Sequence, residues 1–145
     1  MEPIMTDEAR DPLADLLARG AVQKRALVED AGGVLSVDEV AARLGISRAA
    51  VEQRRRTGQL LAVPSDAGPG YPACQFEGGT VVPGLAEVLA LFGLARPWGA
   101  LAFLLTPNDD QLGGLTPLDA LKKRDPALIA MTIRLARAHD SDGFG

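Results

Sequence analysis

Apolar positions recur at helical spacing along most of the chain, and the densest signals fall in residues 35–58, where two helix starts lie on either side of a glycine. Ser36 stands where it caps a helix whose apolar side is Val37, Val40, Ala41 and Leu44, and Glu39, three residues on, completes a capping box. Gly45 supplies the left-handed residue at the end of that helix. Ser47 then caps a second helix, predicted over 48–57 and stopped at Gly58. Two short helices at a steep angle follow from this pattern. Projected at about 100° per residue, the second helix has Val51 as its inner residue, bordered by Arg54 and Arg55. Ala49, Glu52, Gln53 and Arg56 point away from it.

Upstream, Asp11 and Pro12 signal a helix start, and Leu13, Leu16, Leu17, Leu27 and Val28 predict a helix over 11–30, continuous or broken near Gly20. Its apolar side either packs on the two-helix unit or meets a second chain. Residues 1–10, polar and containing Pro3, read as a frayed start. Downstream, strands are predicted over 60–63 and 71–76, with Pro64, Gly68, Pro69 and Gly70 punctuating the loop between them. Gly78 and Gly79 turn the chain, and 81–83 continues briefly as strand.

The remaining elements read as helices. Residues 85–92 are apolar on nearly every side apart from Glu87, so this helix must be covered, and it ends at Gly93. Residues 98–105 form an uninterrupted apolar run, read as a buried helix with Trp98 as a core anchor. Thr116 and Pro117 start a short helix to about residue 123, and Asp125 and Pro126 start the last one, over 126–139. On that last helix Leu128, Ile129, Met131, Thr132, Ile133, Leu135 and Ala136 cover more than half the circumference, leaving Ala130, Arg134 and Arg137 on the polar side. One side is therefore expected to meet the core and another a second protein chain.

Composition narrows the function classes. With 47% hydrophobic but only 4% aromatic residues, the chain suits a mostly helical protein built on Leu, Ala and Val. No apolar run reaches the roughly 18 residues of a membrane span, and the acidic N-terminus lacks a secretory leader, so the expected location is cytoplasmic. The formal net charge of −4 requires any attraction to phosphate to come from a local patch. Four of the five arginines in 32–76, Arg48, Arg54, Arg55 and Arg56, lie on the second short helix. Arginine reads guanine edges or phosphates, glutamine reads adenine, and a small residue such as Ala49 allows close approach. The other reading of the same helix is a solvated basic face in an ordinary helical hairpin.

Chemistry other than binding finds little support. Cys74 and His139 are the only cysteine and histidine, which leaves neither a disulfide nor a cysteine-based zinc set, and no paired nucleophile and base is present. Cys74 reads as a small buried apolar residue and His139 as an exposed helix end. Asp109, Asp110, Gly113 and Gly114 read as a turn, because they match neither a calcium loop nor a phosphate loop. No enzyme, metal or cofactor is expected.

Two resemblances sharpen this picture. The run VDEVAARLGISRAAVEQRRRTGQLLAV, followed by GYPACQF, resembles helix-turn-helix modules of the excisionase and MerR-like winged type, in which a β-hairpin wing follows the recognition helix. Here Arg54 stands where many relatives carry an apolar core residue. In the second half, W-x4-FL-x-TPN-x3-LGG-x-TPL-x-AL resembles the toxin-binding domain of Xre/MbcA/ParS-type antitoxins. The matching positions run from Trp98 through Phe103, Leu104, Thr106, Pro107, Asn108, Leu112, Gly113, Gly114, Thr116, Pro117 and Leu118 to Leu121. That resemblance implies a small helical domain that binds a RES-domain toxin, an NAD-destroying enzyme, and blocks its active site. It also implies a homodimer that represses its own operon by binding double-stranded operator DNA. Two departures from the pattern are the winged front half, in place of an Xre-type bundle, and residues 122–125, in place of a glycine-containing turn.

The expected fold is thus mainly α: one or two N-terminal helices in 1–31, a helix-turn-helix with a small β-hairpin wing in 32–83, and a small helical toxin-binding or dimerisation domain in 84–145. The candidate DNA-binding residues are Arg48, Ala49, Gln53, Arg54, Arg55 and Arg56. The candidate toxin-binding residues are Arg134, Arg137, His139 and Phe144, the last carried by the tail 139–145. The alternative function is a stand-alone transcriptional regulator or excisionase-like protein that uses its C-terminal helices only to dimerise.

Overall fold

A computed structural model describes residues 11–142 and contains seven α-helices and two small antiparallel sheets over that span. Helix α1, Pro12–Asp30, begins as expected: the Asp11 carboxylate accepts the Leu13 N–H at 3.1 Å, and Pro12 occupies the first turn. It runs through Gly20 without a break. After strand β1, Val34–Leu35, come helix α2, Val37–Leu44, and helix α3, Arg48–Arg56. The capping box at Ser36 and Glu39 is closed in both directions, at 3.1 and 2.8 Å. Gly45 takes the left-handed conformation that ends α2, and the Ser47 hydroxyl accepts the Ala50 N–H that opens α3. The Arg54 carbonyl then accepts from both Gln59 and Leu60, which closes α3 and turns the chain away.

The following hairpin lies elsewhere than the apolar pattern places it. Its strands are β2, Val63–Ser65, and β3, Gly68–Pro72, turning at Asp66 and Ala67, so neither 60–63 nor 71–76 is a strand over its predicted length. The glycines and prolines that read as a loop are themselves the strands. Pro64 and Pro69 face one another, and an antiparallel ladder alternates pairs that exchange N–H bonds with pairs that do not, so opposed prolines fit the second kind. Gly70 lies under Val34 of the neighbouring strand, where a Cβ would come within 3.1 Å of that side chain. β3 is the central strand of the order β1-β3-β2. Phe76 belongs to a second hairpin, β4, Phe76–Glu77, with β5, Thr80–Val81, reached through a 3-10 turn at Ala73–Gln75.

Helices α4, Leu85–Phe92, α5, Pro97–Leu105, α6, Pro117–Lys122, and α7, Pro126–Asp142, complete the chain. α4 packs on α5 and α7, and α6 bridges α5 and α7. Buried residues form two cores. The smaller one, Val40, Val51, Leu60, Tyr71 and Phe76, lies beneath α2 and α3. The larger one gathers the four C-terminal helices and also takes Ala31, Leu61, Val63 and Val82 from the first half. Neighbours Leu60 and Leu61 therefore enter different cores, because consecutive side chains of an extended segment point to opposite sides. The buried Gln75 amide holds that segment: Oε1 accepts the Leu61 N–H at 2.8 Å, and Nε2 donates to the Leu61 carbonyl at 2.8 Å and the Pro72 carbonyl at 3.1 Å. Among the described residues no helix is long and apolar enough to cross a membrane.

Candidate nucleic-acid interface and partner-binding groove

Helix α3 turns Val51 fully into the smaller core. Because the helix has only this one buried residue, its opposite side stays open: Arg48, Ala49, Gln53 and Arg56 are exposed. Two of the four candidates engage the protein's own acids, Arg48 with Asp38 at 3.4 Å and Arg56 with Glu52 at 3.9 Å. Both pairs are wet, with the Arg48 and Asp38 side chains 65% and 69% exposed. Such pairs are worth under about 1 kcal/mol and exchange readily for phosphate. Arg54 and Arg55 are half-buried, as their border positions predict, but they differ in what surrounds them. The Arg55 Nε is shielded from solvent with no hydrogen-bond partner, and the residue lines a cleft that runs on past Leu60 to the β2–β3 hairpin and the α4–α5 turn.

The β2–β3 hairpin adds shape but no positive charge. From residue 57 to 76 the chain carries no Lys or Arg, and the acid Asp66 sits exposed at the hairpin turn. Any phosphate contact by charge in this region thus rests on α3 and on the end of α2, where exposed Arg43 stacks its guanidinium 6.0 Å from the Phe76 ring centre. Sequence reading passed over Arg43 because it lies outside the arginine run. Its place in the last turn of α2 was the signal available.

The residues of the second resemblance divide between two tasks. Leu104, Leu112, Leu118 and Leu121 are buried, and Trp98 is half-buried with the Lys24 ammonium 5.4 Å above its ring, so it seals α1 against α5 instead of anchoring the core centre. Phe103, Thr106, Pro107, Asn108 and Pro117 come together with His139 along one groove of about 410 Å³. The loop that carries them is folded around Asn108, whose Oδ1 accepts the Gln111 N–H at 2.7 Å and whose carbonyl accepts the Gly114 N–H. Asp109, Asp110, Gly113 and Gly114 are part of this turn, and no group of three potential metal ligands is gathered among the described residues. His139 is exposed yet in ring contact: its ring lies tilted, 5.6 Å from that of Phe92 and 5.5 Å from that of Phe103, which are 5.5 Å apart.

Helix α7 presents two apolar sides. Ile129, Ile133, Ala136 and the buried Thr132 face the larger core. Leu128, Met131 and Leu135, at helical spacing on another side, stay half-buried, and Leu135 lines the groove. Arg134 and Arg137 are exposed, while Phe144 lies outside the described residues. Cys74 is half-buried against the larger core, and burial pushes its thiol above the ordinary range, with the Lys122 charge opposing. Protein-family models, curated proteins and solved structures were compared with the chain, and none matches it.

Proposed function

We propose that this chain is a DNA-binding antitoxin: a winged helix-turn-helix reads an operator through α3, and the C-terminal helices hold a RES-domain toxin. The observation that carries the reading is the open side of α3, where Arg48, Ala49, Gln53 and Arg56 stand exposed and no other described element covers them. In this arrangement α2 and α3 are the bihelical unit, the β2–β3 hairpin is the wing, and Arg54 and Arg55 border the groove-facing side. The wing contributes contact without positive charge, so the arginines of α3 supply most of the phosphate attraction.

Support for the toxin comes from the groove, which collects the motif residues Phe103, Thr106, Pro107, Asn108 and Pro117 beside Leu135 and His139 of α7. Arg134, Arg137 and the tail bearing Phe144 are the proposed polar and aromatic contacts around it. The homodimer is assigned to α1. Leu13, Leu16 and Leu17 are 60 to 67% exposed. They continue the same helix side that packs Leu27 against the larger core further along, and a second copy of α1 covers them by pairing stripe to stripe.

The test is a salt-titrated binding assay on the DNA upstream of the gene, with co-purification of the neighbouring RES-domain protein. Arg56→Ala is expected to weaken specific binding by about 1 to 3 kcal/mol, whereas Arg54→Ala weakens all sequences alike and lowers the salt slope by about 1. Equal loss on specific and random DNA for both variants refutes base reading by Arg56. Specific DNA binding with no toxin recovered leaves a stand-alone regulator in place of an antitoxin.

A further inference from the structure

We infer that the cleft between the end of α3, the β2–β3 hairpin and the α4–α5 turn is a binding site for an apolar monocarboxylate, held at its charged end by Arg55. The cleft encloses about 410 Å³, within the range of about 300 to 1,000 Å³ typical of small-molecule sites. Its walls are apolar, with Leu60, Val63, Pro69, Leu89 and Pro97 among them, and Leu94, 64% exposed, stands at the rim.

Among the described residues Arg55 is the only charged one of the lining, which holds no Asp or Glu. Among the described residues no acid pairs with the half-buried Arg55, so its charge is left for a bound anion to balance. A guanidinium fork matches the two oxygens of a carboxylate. The surrounding chemistry then decides the class of ligand. One cation in an apolar cleft balances one negative charge with an aliphatic or aryl body behind it, and leaves the further charges of a nucleotide or polyphosphate unpaired.

The site also has a consequence that rests on the proposed DNA-binding role of α3. A carboxylate at Arg55 neutralises one of the four positive charges of that helix and occupies the space between it and the hairpin. Occupancy therefore lowers affinity for DNA and makes the ligand an inducer.

The experiment uses the full chain and two probes of equal length, octanoate and octanol, titrated by calorimetry without DNA. Octanoate is expected to bind saturably at one site per chain, about tenfold more tightly than octanol. Arg55→Gln abolishes that preference while octanol binding is retained. Leu94→Trp, at an exposed position that tolerates size, narrows the mouth and weakens both probes. Absence of saturable binding, equal affinity for acid and alcohol, or a preference that survives Arg55→Gln each overturns the site. In a parallel DNA titration, saturating octanoate is expected to weaken binding and lower the salt slope by about 1, and an unchanged titration overturns the inducer role. The calorimetry contains no DNA, so failure of the DNA-binding reading leaves its outcome intact.

Discussion

At the scale of single residues, one buried polar side chain holds more of this structure together than its sequence position suggests. Gln75 is completely buried and spends its amide on the Leu61 N–H, the Leu61 carbonyl and the Pro72 carbonyl, and so it serves as a strand partner for a segment that has none. Gln75→Leu fills the same space but leaves two main-chain groups of Leu61 without partners. We expect a loss of about 2 to 4 kcal/mol in urea unfolding, and a loss below about 0.5 kcal/mol, the level of an ordinary surface change, refutes the clamp. Nothing in the periodicity announces this role, because it depends on a residue fourteen positions away. The caps at Ser36, Ser47 and Thr116 were legible for the opposite reason, since each of their bonds closes within three residues.

At the scale of elements, helix bounds followed from local signals and strand bounds did not. α4 spans residues 85–92 as its apolar run and terminal glycine dictate, and α1 passes through Gly20 because one glycine costs a helix of this length only about 1 kcal/mol. The β2–β3 hairpin moved because its glycines and prolines look like a loop until Val34 and Leu35 supply the neighbouring strand. α1 also yields a prediction of its own. Leu16 is exposed and touches neither core, so Leu16→Glu is expected to leave the melting temperature of the monomer unchanged and to shift the protein from dimer to monomer in light scattering. A dimer that persists at the same concentration places the interface elsewhere.

At the scale of the whole molecule, the two halves share structure that a linear division at residue 83 hides. Leu61, Val63 and Val82 precede that boundary yet pack with Leu85, Val88 and Leu101. The Arg124 guanidinium reaches back 2.9 Å to Glu77 on the second hairpin. Unfolding is therefore expected to be one cooperative event. The single tyrosine reports the smaller core and the single tryptophan the edge of the larger. Tyr71 absorbance and Trp98 fluorescence should lose their native signals at the same urea midpoint, and two separated midpoints refute the shared core.

The sequence by itself determined the helices, their caps and the arginine-bearing side of α3, because these are set by contacts within a turn or two of the chain. It also marked the motif from Trp98 to Leu121 as one unit. Only the tertiary structure decided that five residues of that motif edge a groove with His139, that Leu60 and Leu61 part into different cores, and that Arg55 lines an apolar cleft at the border of its helix's open side. The physical reason is common to all three. Spacing along the chain says which side chains share a side of an element, whereas the neighbour that covers that side is supplied by residues far away in the chain.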